Sequence, residues 1–375
     1  MTPAKLYNAL IFFGQGAFIA YDVMYFGVYG LSLATISLLS TCFNISSFLT
    51  ELPFAIFFDR KSPKMALFIG NAFRACGFIL FIYTPNSFIL VAIGQILAGI
   101  GSASESGAIS AIYINEQTEK TKSNTLKKLN ELSAAIGLSC ILGCALSTFL
   151  YAITPKFIWV VPTVSYLLAS ITLIKVRTKK TGNIHNNHTL TKETFNTFKQ
   201  AARSINFWNV ICIDTSTIGL VFLWQIVIPV ENLNHWGNFL GLAFMNLGSA
   251  IGGLIFSRFA LTRKRTLLAL ILSTDFIFGI TAISANWLTY AFFFMHVLLQ
   301  LGVRNWFSSE LHKQITDNQR ATVFSFAEAV FTLVSVVVIP LVGWFSNQFG
   351  TEIGIFISLP ALIVPLISLI IRKQN

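Results

Sequence analysis

The side chains of this sequence best placed to do chemistry are ionisable groups set inside long apolar stretches: Asp22, Arg74, Glu105, Asp214, Asp275, His296, Arg304 and Glu328. A charge near the middle of a bilayer costs about 2.5 kcal/mol or more, so each must face a partner or a wet cavity. Their spacing sorts them. Gln15 and Asp22, seven apart, share one face of a helix, as do Asp214 and Gln225, eleven apart. His296, Gln300 and Arg304 form an i, i+4, i+8 stripe. Glu328, Thr332 and Ser335 share a face, and so do Thr41, Asn44, Ser47 and Glu51. Carboxylates in such settings can take up and release protons. Asp22 is the first choice for that role, with Glu105 and Asp214 as alternates. Arg304 keeps its charge and can grip a carboxylate with two parallel hydrogen bonds. With His296 and Gln300 it therefore suits a solute bearing an acidic or polyoxygenated group. The plainer alternative is pairing between helices, for instance Arg304 with Asp214 or Glu328.

The elements that must position these groups follow from composition. Hydrophobic residues make up 54% of the chain and charged residues 11%, against about 25% charged in a soluble domain. So little charge cannot cover a soluble surface, and lipid is the solvent for most of the chain. A span needs about 20 mostly apolar residues. The pattern predicts twelve, near 6–27, 32–57, 65–84, 87–113, 130–152, 157–175, 207–229, 237–257, 266–284, 287–307, 322–345 and 352–371. With cytoplasmic termini, 23 of the 26 lysines and arginines fall on the cytoplasmic side, Lys156 lies outside, and Arg74 and Arg304 lie within spans. That distribution fixes the orientation. It also accounts for the net charge of +11 without nucleic acid. The longest loop separates a first bundle (1–175) from a second (206–375). The linker, 176–205, ends in TKETFNTFKQAARSI, whose apolar face suits a helix on the inner membrane surface. The halves echo each other: ELPFAIFFDR (51–60) aligns without gaps to SAIGGLIFSR (249–258). The expected fold is an all-α polytopic membrane protein with two pseudo-symmetric six-helix bundles. All five cysteines sit in apolar runs and read as packing residues.

One connection is unusually charged. AIFFDRKSPK (55–64) joins two spans through Asp59, Arg60, Lys61 and Lys64. It resembles the loop between helices 2 and 3 of the major facilitator superfamily, G-x-x-x-D-R-x-G-R-[RK]. Asp59, Arg60 and Lys64 match, while Ala55, Ser62 and Pro63 depart. Glu51-Leu52-Pro53 is similar to the E-x-P of many bacterial members. LAGIGSASESGA (97–108) and RATVFSFAEAVFTLVSVVVIPLVGWFSNQFG (320–350) resemble helices 4 and 11 of bacterial drug and metabolite exporters. Gln95 stands where the antiporter pattern places arginine, and Gly137 to Gly143 contains no proline. The resemblance implies that spans 1, 4, 7 and 10 line the transport path. It places Arg74 and Asp275 on peripheral helices, as structural partners. It also implies a gating latch at Asp59, with Glu51, Arg60 and Lys64 around it.

The function implied is secondary active transport of a small polar organic solute, a drug or siderophore-like metabolite with an acidic group. The transporter would sit in a bacterial inner membrane as a multi-pass monomer with both termini cytoplasmic. Proton-coupled efflux by antiport is the first reading, with a proton or sodium ion as coupling partner; import by proton symport is the runner-up. A membrane-embedded enzyme or a non-transporting scaffold is the alternative class. No H-E-x-x-H and no phosphate-binding G-x-x-x-x-G-K-[ST] occurs, so neither metal hydrolysis, a cofactor nor ATP is expected.

Overall fold

The computed structural model describes residues 2–60, 63–105, 125–176, 192–229, 233, 235–259, 261–283, 286–315 and 317–371. The side chains of Asp59 and Arg60 lie outside the described set, as do most of the central loop and residues 106–124. Among the described residues every regular element is a helix.

Two compact units are present, Met1–Asn187 and His188–Asn375. In the first, the helices are α1 (Pro3–Ile19), α2 (Asp22–Val28), α3 (Leu33–Arg60), α4 (Pro63–Tyr83), α5 (Phe88–Ala103), α6 (Thr125–Tyr151) and α7 (Phe157–Lys175). In the second they are α8 (Lys192–Ala202), α9 (Ile205–Ser216), α10 (Ile218–Val227), α11 (Trp236–Arg258), α12 (Arg263–Ala282), α13 (Trp287–His312), α14 (Asp317–Phe349), α15 (Thr351–Phe356), a 3₁₀ turn at Leu359–Leu362, and α16 (Ile363–Ile371). Each of the twelve expected spans meets a helix or a helix pair. Eight stretches are long and apolar enough to cross a membrane alone, and α1 with α2, bent by 45°, makes a ninth. Phe88–Ala103 and Ala135–Tyr151 are shorter apolar helices. α13 falls outside that set because His296, Gln300 and Arg304 dilute its apolar character.

In the first unit α1 packs along α6 and α7, while α4 packs along α5 and α7 and α3 along α5. Its core is aromatic around Trp159. Trp159 stacks on Phe18 and Phe78 and meets Phe81, Tyr25 and Phe26 edge-on or tilted. In the second unit α13 runs against α11 and α12, and α9 against α13 and α14. Its core includes Phe207, Leu270, Val303, Phe307, Leu311 and Val323. Large apolar side chains such as Leu49, Phe149, Leu254 and Val337 stand exposed; an exposed apolar surface of this extent belongs against acyl chains.

The charged joint 55–64 is short because α3 continues through Arg60 and Pro63 opens α4. Proline is favoured there, since its missing N–H falls among the donors a first turn cannot satisfy anyway. The amphipathic helix of the linker forms as α8, but its apolar face turns onto protein. Phe198 stacks on Phe326 at 4.3 Å, Phe326 stacks in turn on Phe207, and Ala201 is buried.

Candidate functional site

Polar clusters form separately in the two units. In the first, the centre is Glu105. The sequence places it inside an unbroken span, 87–113, but α5 ends at Ala103 and Glu105 sits in the turn that follows. Its Oε2 accepts from Arg74 Nη2 at 3.3 Å and from Gln15 Nε2 at 3.3 Å. Arg74 also donates to the Tyr166 hydroxyl, and its guanidinium carbon lies 5.2 Å from the Tyr166 ring centre. The two charged side chains are 6% and 10% exposed. One positive and one negative group, both buried, leave no net charge. Glu105 Oε1 and Arg74 Nε have no hydrogen-bond partner among the described residues. Beside this cluster, Tyr7 donates to Asn71 Oδ1, and Asn71 donates to Ser170. Asp22 opens α2. Its Oδ1 accepts the Val23 N–H at the start of α2, just past the helix break at Ala20–Tyr21. Gln15 and Asp22 therefore do not share one continuous face, because α1 ends between them.

In the second unit one arginine bridges two acids. Arg304, on α13, donates from Nε to Asp214 Oδ1 at 2.6 Å and from Nη2 to Glu328 Oε1 at 3.1 Å. Asp214 comes from α9 and Glu328 from α14, so three helices meet at one guanidinium. The side chains are 37%, 18% and 60% exposed for Arg304, Asp214 and Glu328. The triad carries one positive charge against two carboxylates.

The expected stripe on α13 divides. Arg304 serves the triad, but His296 is 3% exposed and its Nδ1 faces both the carbonyl and the hydroxyl of Ser273 on α12. Gln300 lies between them, bonded to Ser273 Oγ and to the Ile213 carbonyl. Eight residues of helix cover roughly 12 Å, enough to reach three different neighbours. Asp214 and Gln225 do not share a continuous face either. The helix breaks at Thr217, whose N–H and hydroxyl turn back to the Asp214 carbonyl. Gln225 falls on α10 and is buried, with its carbonyl accepting from Asn238.

Of the expected latch residues, Glu51 lies within α3 and Lys64 is at the start of α4. Lys64 Nζ donates to the carbonyls of Ile174 at 2.9 Å and Val176 at 3.3 Å. A lysine there satisfies the last carbonyls of α7 and complements its negative end. Asp275 is exposed on α12, and the structure gives it no ion pair among the described residues. Tyr166 and Ser273 are the participants that the sequence did not single out. Neither carries charge, and both types are common in spans, so no sequence signal distinguished them.

A sequence profile of the Major Facilitator Superfamily matches residues 6–327. No curated protein sequence matches the chain. Among solved structures, the crystal structure of the nucleoside transporter NupG is similar with a TM-score of 0.79 and 9% identity, over 99% of each chain. A point mutant of that transporter gives 0.80 and 10%, again over 99% of each. The D-xylose-proton symporter gives 0.70 and 12%, over 98% of this chain and 95% of that one. At such identities the likeness speaks for the fold, and the profile for the family. The chain belongs to the Major Facilitator Superfamily and is a multi-pass membrane transporter, not an enzyme.

Proposed function

We propose that the chain is a proton-coupled carrier of a small polar organic solute, and that the Asp214–Arg304–Glu328 triad holds the coupling proton. The observation that carries this is the arrangement: one guanidinium shared by two carboxylates, the three groups coming from three helices. Two carboxylates share one guanidinium there, and a proton is the cation that a carboxylate can take without a coordination cage. Glu328 is the group to exchange it, being 60% exposed and held at 3.1 Å, while Asp214 is 18% exposed and held at 2.6 Å. On this reading the triad, and not Asp22, holds the proton. It also weakens the case for an acidic solute, because Nε and Nη2 of Arg304 are already taken by the chain's own acids. A neutral, hydroxyl-rich solute fits better. Nucleosides and D-xylose, named for the similar structures, are solutes of that kind.

Uptake by symport draws support from the fold shared with a D-xylose-proton symporter, and from Gln95 and the proline-free stretch 137–143. The second reading, efflux by antiport, rests on the exporter-like segments 97–108 and 320–350. In either case the proposed setting is a bacterial inner membrane with cytoplasmic termini, the chain acting as a monomer. The test uses the full chain in proteoliposomes with labelled D-xylose and uridine as probes. An inward proton gradient should concentrate at least one probe in the lumen, whereas antiport would drive it out. Glu328→Gln should keep exchange of the probe and lose accumulation. Full accumulation by that variant would remove the triad from the coupling.

A further inference from the structure

We infer that Gln300, Ser273 and His296 form a hydrogen-bonded clamp that positions Asp214 at the break between α9 and α10; the inference rests on the triad reading above. The starting point is an orphaned carbonyl. In an unbroken helix the Thr217 N–H would bond to Ile213 O. Here it bonds to Asp214 O instead, at 3.2 Å, so Ile213 O needs other donors. It receives two, the Ser216 hydroxyl at 2.7 Å and Gln300 Nε2 at 3.0 Å.

The chemistry of the partners fixes every proton in the chain that follows. A carbonyl only accepts, so the Gln300 amide must present nitrogen to Ile213 and oxygen to Ser273. Ser273 Oγ, 3.4 Å from that oxygen, must then donate to it. With its hydrogen committed, Ser273 can only accept from His296, as its own carbonyl does. Both lie 3.0 Å from Nδ1. His296 therefore carries a hydrogen on Nδ1. The direction runs His296 to Ser273 to Gln300 to Ile213 without a conflict. Gln300 and Arg304 are one turn apart, so α13 holds the break twice, at the backbone of residue 213 and at the carboxylate of 214. The clamp keeps the Asp214 carboxylate in line with Nε whether or not Glu328 carries the proton. Of the elements packed on α9, α13 brings Arg304 to Asp214, and α14 brings Glu328 through that arginine. α10, α16 and the 3₁₀ turn carry no titratable side chain, and Lys192, Glu193 and Lys199 of α8 all precede the start of α9 at Ile205.

The experiment is an infrared pH titration of protonated-carboxyl absorption, on the full chain in nanodiscs, needing no solute. Asp214→Asn and Glu328→Gln identify the band that belongs to the triad. Ser273→Ala should shift that band's midpoint by about half a pH unit or more, equivalent to about 0.7 kcal/mol. Ser273→Thr keeps the hydroxyl and should restore the wild-type midpoint. Thermal stability of both variants is measured alongside. A band that depends on Asp214 but is indifferent to Ser273→Ala overturns the clamp and leaves the coupling reading standing. A band unaffected by Asp214→Asn and Glu328→Gln overturns the coupling reading, and the clamp's role in proton transfer with it.

Discussion

At the scale of the residue, the two units handle buried charge in opposite ways. The Arg74–Glu105 pair is one-to-one and almost fully enclosed, whereas Arg304 is shared by two carboxylates and partly open. A balanced buried pair contributes little net stability, because desolvation offsets attraction, but removing one partner leaves a charge with nothing to compensate it. Arg74→Met should accordingly lower stability by about 3–5 kcal/mol. Arg74→Met combined with Glu105→Leu should recover most of that loss, since the double change removes the stranded acid. Thermal unfolding of the three proteins in one detergent measures this. A single variant as stable as the parent, or a double variant no better than the single, would show that the pair does not exist as described. The hydrogen bonds of Gln15 and Tyr166 to the pair make full recovery too much to expect, because their polar groups stay buried without the charges that satisfied them.

At the scale of the element, close helix crossings position these groups. A methyl group added at Gly143 of α6 would overlap the Phe13 carbonyl of α1, and one at Gly16 of α1 would overlap the Cys140 carbonyl of α6. Backbones approach this closely in membranes where small residues allow it. At Gly137, on the same helix α6, an added methyl meets nothing within 4 Å. Gly143→Ala should therefore depress the thermal midpoint by several degrees. Gly137→Ala should leave it unchanged or slightly raised, since alanine favours helix by about 1 kcal/mol over glycine. Equal responses from the two variants would mean that α1 and α6 do not cross at Gly143. The helices themselves were legible from the sequence, because an apolar run of span length has few other solutions in lipid. The breaks were not. Ala20–Tyr21 and Thr217 carry no proline or glycine to announce them, so Asp22 and Asp214 were assigned to continuous faces that the chain does not form. The breaks fall at nearly the same place in the two first spans, within about two residues on the 198-residue offset that aligns ELPFAIFFDR with SAIGGLIFSR. Discontinuous helices at corresponding positions of two halves are a recurrent feature of secondary transporters. The pairing of Arg304 with Asp214 and Glu328 was among the options the spacing left open. Only three-dimensional packing could select both at once.

At the scale of the whole molecule, the expected topology rests on charge and not on packing. Of the 26 lysines and arginines, 23 would flank spans on the cytoplasmic side and only Lys156 would lie outside. Translocating a loop that holds several bases is opposed by the membrane potential and by anionic lipid on the inner leaflet, which is the physical basis of the rule. The central segment between α7 and α8 contains Arg177, Lys179 and Lys180, so it gives the most decisive readout. Thr181→Cys should resist a membrane-impermeant maleimide in intact cells and react once the membrane is opened. Lys156→Cys, in the joint between α6 and α7, should react in intact cells. The native chain is the blank, since its five cysteines all lie on helices within apolar runs. Labelling of residue 181 from outside, with residue 156 protected, would invert every span and put the bases on the side where they are least stable. Labelling of both from outside would break the even number of crossings between the termini and the two-bundle plan with it.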